Sequence, residues 1–200
     1  MLSNKENLGR IFVVSGPSGS GKTTLLMTVR SRKEFRDNLV KVITVTTRKP
    51  RPGERNGKDY QFLVKEEFLK RLQNGEFIES QEIYEDYYAT PQKDLTALIR
   101  SGKDALLCVD VRGAFALKHI FPRESILIFI KVPDIKSLRE RLHLRSSENK
   151  ETLERRLKIA REEIAQSKNY DYAIMNDDLP RALSELSAII IAERLKVLKK

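Results

Sequence analysis

A chain of 200 residues with 40% hydrophobic content can fill one sizeable core, which argues for a single domain with appended lobes. The longest apolar run, Ala188 to Ala192, is far too short to cross a bilayer, and Met1 to Asn7 hold no apolar signal segment, so the expected location is cytoplasmic with no membrane partner. A formal charge of +10 admits polyanionic partners, yet the 38 basic residues are interleaved with 28 acids and only Arg48–Arg51 and Lys196–Lys200 are dense, so no nucleic-acid surface is expected.

In chain order, the first element is an apolar β-branched run from Ile11 that ends in Ser15. Gly16, Pro17, Ser18, Gly19, Ser20, Gly21, Lys22 and Thr23 then fit G-x-x-x-x-G-K-[ST], and after Thr24 a helix-like segment opens with Leu25-Leu26-Met27. Strand, glycine loop and helix in that order make a phosphate cradle, in which backbone N–H groups and the positive helix end face the phosphates of a nucleotide. Lys22 would reach the β- and γ-phosphates, and the Thr23 hydroxyl would be offered to Mg²⁺.

Leu39 to Val45 reads as a second strand. Thr46 to Tyr60 follows as a polar arm with two prolines, two glycines and an Asn-Gly turn, a composition that excludes helix and central strand. Tyr60–Val64 as a short strand, Glu66–Leu72 as a short helix and Glu76–Gln81 as another strand complete a small α+β lobe. Thr90 reads as an N-cap with Pro91 at the first helical position, and Gly102 ends that helix. Ala105–Val109 is a buried strand that contains the single cysteine, Cys108, here a small hydrophobe, and that delivers the Asp110 carboxylate to a crevice. A short helix over Gly113–Phe121, a strand over Ser125–Ile130, a helix from Asp134 through Arg145 and a charged amphipathic helix over Leu153–Ser167 continue the alternation. Tyr172–Met175 is the last strand and Leu179–Leu198 the closing helix. The fold class expected is α/β, a P-loop type, mainly parallel sheet with helices on both faces.

Taken together, these motifs resemble the guanylate kinases, nucleoside monophosphate kinases of the P-loop class. The resemblance rests on the cradle, on Thr46-Thr47-Arg48 with Arg51-Pro52-Gly53-Glu54 and Gly57-Lys58-Asp59-Tyr60, on Phe77-Ile78-Glu79, Tyr88-Ala89-Thr90 and Asp110-Val111-Arg112-Gly113, and on Arg141, Arg145 and Asn176-Asp177. It implies a core over 1–45, 91–138 and 157–200, a GMP-binding lobe over 46–90 and a helical lid over 139–156. The implied reaction is Mg²⁺-dependent transfer of a phosphoryl group from ATP to GMP or dGMP, with the oligomeric state, monomer or homodimer, left open.

The same resemblance distributes the site residues. Gly16 to Thr24 and Asn176 would hold ATP, with Thr23 on the metal. Arg48, Arg51, Tyr60 and Tyr88 would grip the GMP phosphate, which suits guanidinium forks and phenols. Glu79 would accept from the N1–H and 2-amino donors of guanine, a role open to a carboxylate and closed to adenine, whose ring nitrogen there carries no proton. Thr44, Thr90 and Asp110 complete the guanine pocket. Lys22, Arg48, Arg141, Arg145 and Arg156 would surround the transferring phosphoryl. Against the common pattern, Thr44 replaces a Ser, Ala89 a Gly, Arg112 a frequent Gln, and Cys108 stands where an acid is often found. Two other readings stay open at this point: a catalytically dead, phosphoprotein-binding module, and a kinase for another small phosphate ester.

Overall fold

The apolar stretch Ile11–Ser15 (β1) is buried at every position, as expected of a strand covered on both faces. Its side chains alternate between two cores: Phe12 and Val14 pack with Leu25, Leu26, Val29 and Leu186, while Ile11 and Val13 pack with Leu95, Ile99, Ala114 and Leu117. A computed structural model describes residues 8–83, 85–143 and 150–197, without the side chains of 142, 143 and 150–152.

Around β1 lies a five-stranded parallel sheet. Asp104–Cys108 (β7) and Ser125–Lys131 (β8) flank it, Leu39–Lys41 (β2) pairs with β7 and Tyr172–Met175 (β9) with β8. One face is covered by Lys22–Ser31 (α1) and Leu179–Leu195 (α7), the other by Gln92–Arg100 (α3) and Val111–Ile120 (α4). The expected α/β class is therefore correct. Asp178 caps α7 by accepting from the Arg181 N–H, with Pro180 in the first turn.

The second sheet is mixed and four-stranded, in the order Gln61–Phe62 (β4), Val45–Thr46 (β3), Asp86–Pro91 (β6) and Phe77–Ile83 (β5). The helix Lys65–Gln73 (α2) backs it through Phe68, which packs with Val45, Ala89, Phe77 and Tyr87. Two expectations are corrected here. The run Leu39–Val45 is not one strand, because it leaves the parallel sheet after Lys41 and enters the second sheet at Val45, so Thr44 sits in the crossing between them. Thr90 is not a helix cap: it lies within β6 opposite Glu79, Pro91 ends that strand and takes the cap position, and α3 starts at Gln92.

Ile135–His143 (α5) and Lys150–Ala165 (α6) pack on each other through Leu138, Leu157 and Ala160 with Val132, a small core of their own. Arg145 lies outside the described residues.

Candidate functional site

The C-terminal ends of β1 and β7 open onto a cleft whose far wall is the second sheet, the crevice position that parallel sheets offer to ligands. The glycine loop forms the near wall. Gly16, Ser18, Gly19, Gly21, Lys22 and Thr23 all face it, and Pro17 and Ser20 complete the loop behind them. Lys22 Nζ donates to the carbonyls of Gly16 at 2.5 Å and Pro17 at 2.9 Å, which folds the ammonium back against its own loop. Gly21, with φ of 86°, adopts a backbone that favours glycine and leads directly into α1, whose N–H groups open toward the cleft.

The second sheet and its loops supply the opposite wall. Arg48, Arg51, Tyr60 and Tyr88 converge there, with Tyr60 and Tyr88 ring centroids 6.3 Å apart and the Arg48 guanidinium 5.5 Å from the Tyr60 ring centre. Burial pushes the Tyr60 phenol well above its ordinary range, so it stays a donor at any physiological pH. Two cations and two phenols around one opening match a phosphate dianion in charge and hydrogen-bonding capacity.

Deeper in the cleft, Glu79 and Thr44 are almost covered and Thr90 is fully buried behind them. Thr90 Oγ1 donates to Glu79 Oε1 at 2.6 Å, which orients the carboxylate. Burial raises the Glu79 carboxyl to about 7, with Asp110 adding to the rise and the Thr90 bond opposing it. Asp110 reaches the same region from the end of β7, where its Oδ1 accepts from the Gly113 N–H and caps α4, and Arg112 Nε stands 3.4 Å from its Oδ2. Cys108 is partly buried at the cleft wall, and burial raises its thiol, so it stays unreactive.

Arg156 enters the main cleft from α6, whereas Arg141 does not. Arg141 lines a second, adjacent cavity with Thr24, Asn176, Asp177 and Leu179, and its Nη2 approaches the Asn176 carbonyl at 3.4 Å. Gly19 and Gly21 line both cavities, so the loop is the partition between them. Asn176 also supports that partition: its buried Nδ2 donates to the Ser20 carbonyl at 2.7 Å.

Three groups emerge that the sequence did not single out for the site. Glu163 joins Arg156 and Ile159 in the main cleft; the spacing of three and four residues puts them on one face of α6, a signal hidden by the many other charges on that helix. Burial raises its carboxyl to about 7 against the pull of Lys22. Lys41 Nζ donates to the carbonyls of Lys58 and Asp59, anchoring the loop that precedes Tyr60. Glu54 binds Arg48, with Nη2 at 2.9 Å from both carboxylate oxygens.

Among the described residues no group of three or more His, Cys, Asp or Glu side chains could hold a metal alone. Thr23 offers an exposed hydroxyl at the cleft, a donor that fits Mg²⁺ carried by a nucleotide, which takes only one or two protein ligands beside phosphates and waters. No helix among the described residues is long and apolar enough to cross a membrane.

Comparisons with known proteins bear on this geometry. A family model described as guanylate kinase matches residues 8–193. A guanylate kinase of Wolbachia sp. subsp. Brugia malayi is 40% identical over 191 residues, covering 96% of each chain, and one of Carboxydothermus hydrogenoformans is 41% identical over 188 residues, covering 94% of this chain and 90% of its own. The crystal structure of guanylate kinase from Anaplasma phagocytophilum superposes with a TM-score of 0.77 at 36% identity, over 96% of this chain and 89% of that one. A shikimate kinase from Bacteroides thetaiotaomicron shares the fold at a TM-score of 0.52 and 14% identity, over 92% of this chain and 99% of that one.

Proposed function

Because the chain belongs to the guanylate kinase family, we propose that it transfers the γ-phosphoryl group of ATP to GMP, and to dGMP, giving ADP and GDP or dGDP. The observation that carries this reading is the buried Glu79 carboxylate, oriented by Thr90, in the same cleft as the cations of the arm and the lysine of the cradle. Guanine presents two adjacent N–H donors to such an acceptor, and a site built on those bonds rejects a base lacking them by about 10⁴ or more.

The residues divide the work by position. Arg48, Arg51, Tyr60 and Tyr88 hold the acceptor phosphate, and Glu79, Thr90, Thr44 and Asp110 hold its base. Gly16 to Thr24 hold the donor phosphates, with Asn176 and Arg141 at the second cavity, which suits the rest of the donor nucleotide. Mg²⁺, held by Thr23 together with the nucleotide's own oxygens, would supply neutralisation of the β,γ-phosphates.

Lys22, Arg48 and Arg156 then stabilise charge on the transferring group, and no general base is required because the GMP phosphate is already an anionic nucleophile. An oxygen of that phosphate forms the new bond to the γ-phosphorus as the bond to ADP breaks, and ADP leaves with the electron pair. We read residues 46–90 as the acceptor lobe and 139–156 as a lid whose closure excludes water that would otherwise hydrolyse ATP. Arg145 belongs to this lid in the reading. Cytoplasmic location follows from the substrates, since ATP and GMP are available there.

The intact Lys22 and Thr23 count against a phosphoprotein-binding module, and Glu79 with Thr90 against a kinase for a phosphate ester without a base. The test is a coupled assay offering MgATP with GMP, AMP, CMP and UMP in turn. Turnover with GMP and about 10⁴-fold less with the others is the expected result. Equal use of AMP, or no turnover with GMP, overturns the assignment.

A further inference from the structure

We propose that Glu54 is a positioning residue for the acceptor phosphate, setting the Arg48 guanidinium and the turn that carries Arg51 before any nucleotide arrives. The inference rests on the arm as phosphate site and adds a residue that touches neither substrate.

One nitrogen of Arg48, Nη2, lies 2.9 Å from each of the two Glu54 carboxylate oxygens, and Nη1 donates to the Lys49 carbonyl at 2.7 Å. The same carboxylate accepts the backbone N–H of Arg51 through Oε2 at 2.7 Å, while the Glu54 N–H returns to the Arg51 carbonyl at 3.0 Å. Glu54 therefore closes the turn bearing one cleft arginine and grips the other by its side chain. Pro50 and Pro52 fix φ on either side of Arg51, and the Tyr60 and Phe62 rings lie against the Arg48 guanidinium at 5.5 and 5.8 Å. Those bonds leave Nε and part of the guanidinium's remaining N–H groups for a ligand.

Charge alone argues against placing an acid here. A carboxylate beside a dianion site weakens the attraction that the arginines provide, and this one sits in a partly desolvated mouth where its side chain is 20% exposed and that of Arg48 13%. What it contributes is geometry. A long arginine side chain otherwise loses rotamer freedom when it binds, and holding it in place beforehand removes that loss from the binding step. Burial is the largest single influence and works against the Arg48 charge, yet the Glu54 bond and charge together with Tyr88 and Tyr60 outweigh it, so the guanidinium stays protonated.

The experiment is a double-mutant cycle on the full enzyme with Glu54→Gln, Arg48→Ala and the pair, reading KM for GMP, KM for ATP, kcat and the melting temperature. Glu54→Gln is expected to raise KM for GMP about tenfold while KM for ATP stays within about twofold. In the Arg48→Ala background most of that penalty should disappear. Glu54→Asp keeps the charge with a shorter reach, and its KM for GMP should lie between those of the wild type and Glu54→Gln.

An unchanged or lower KM for GMP in both Glu54 variants overturns the proposal, since it would make Glu54 neutral or a gate that holds Arg48 back. A full penalty that persists without Arg48, with a lowered melting temperature, also overturns it. If Arg48→Ala itself leaves KM for GMP unchanged, the arm is not the acceptor site and the underlying reading fails instead.

Discussion

Gly113 and Glu79 approach more closely than any side chain at position 113 would permit. A Cβ built on Gly113 would lie 2.8 Å from Glu79 Oε2 and 3.0 Å from Asp110 Oδ1. Gly113 stands in the first turn of α4, where helix propensity alone favours alanine by up to about 1 kcal/mol. Its missing side chain gives the Glu79 carboxylate, the proposed base reader, its place against the helix start.

Gly113→Ala is therefore predicted to leave the melting temperature unchanged or slightly higher while displacing Glu79. KM for GMP should rise about tenfold or more, and KM for ATP should not move. Steady-state kinetics with thermal melts check this; a variant with wild-type GMP kinetics would show that the carboxylate is held elsewhere.

The raised Glu79 carboxyl makes acceptor binding depend on pH. With a value of about 7 in the folded chain, it is half protonated near neutrality, and a protonated carboxyl cannot accept from both guanine donors. GMP affinity should increase as pH rises from about 6 to 8, with release of part of a proton on binding near pH 6.5. Titration calorimetry in buffers of different ionisation enthalpy measures that release; Glu79→Gln should reduce it to the part given up by the GMP phosphate itself, whose second proton leaves at about pH 6, whereas Glu163→Gln should leave it unchanged.

The linked stability runs the other way. A carboxyl raised from 4.5 to about 7 is best tolerated below its unfolded value and loses that advantage as pH climbs through 7. Glu79→Gln should therefore gain stability relative to the wild type at pH 8 compared with pH 5, by at most about 3 kcal/mol.

The cradle was fully legible in the residues, because a fixed spacing and a strand-to-helix switch leave little freedom in what they build. So were the buried strands, whose apolar runs are unambiguous. The crossing at Thr44 was not: Leu39 to Val45 is apolar and largely β-branched apart from Lys41 and Thr44, and nothing local says that its two halves join different sheets. Thr90 misled for a related reason, since Thr-Pro satisfies the local rules for a helix start while its pairing with Glu79 comes from residues eleven positions away. Glu54, Lys41 and Glu163 stayed hidden because surface-like charges acquire meaning only from the tertiary partner they meet.

Lys22 now bonds to the carbonyls of Gly16 and Pro17, an arrangement that donor phosphates would replace. Lys22→Met retains the length of the stem and removes the charge. Phosphoryl transfer should fall by at least about a hundredfold with the circular dichroism spectrum and melting temperature preserved. Full turnover in this variant would refute the role given to the cradle.

Asn176 ties the last strand to the cradle. Its Nδ2 donates to the Ser20 carbonyl, and a Cβ on Gly21 would run into that nitrogen, so the amide occupies the space a side chain at 21 would need. Asn176→Ala removes the donor and leaves a buried carbonyl unpaired, a change that costs about 1–3 kcal/mol of stability. Asn176→Asp is the sharper variant, because a carboxylate would face the Ser20 carbonyl at hydrogen-bond distance with no proton between them. Both should weaken ATP binding more than GMP binding, with Asp the worse of the two, since the loop they disturb is the partition between the two cavities and the proposed seat of the donor phosphates. Equilibrium binding of each nucleotide to the two variants decides the matter: equal losses for ATP and GMP would mean that Asn176 supports the fold at large rather than the cradle.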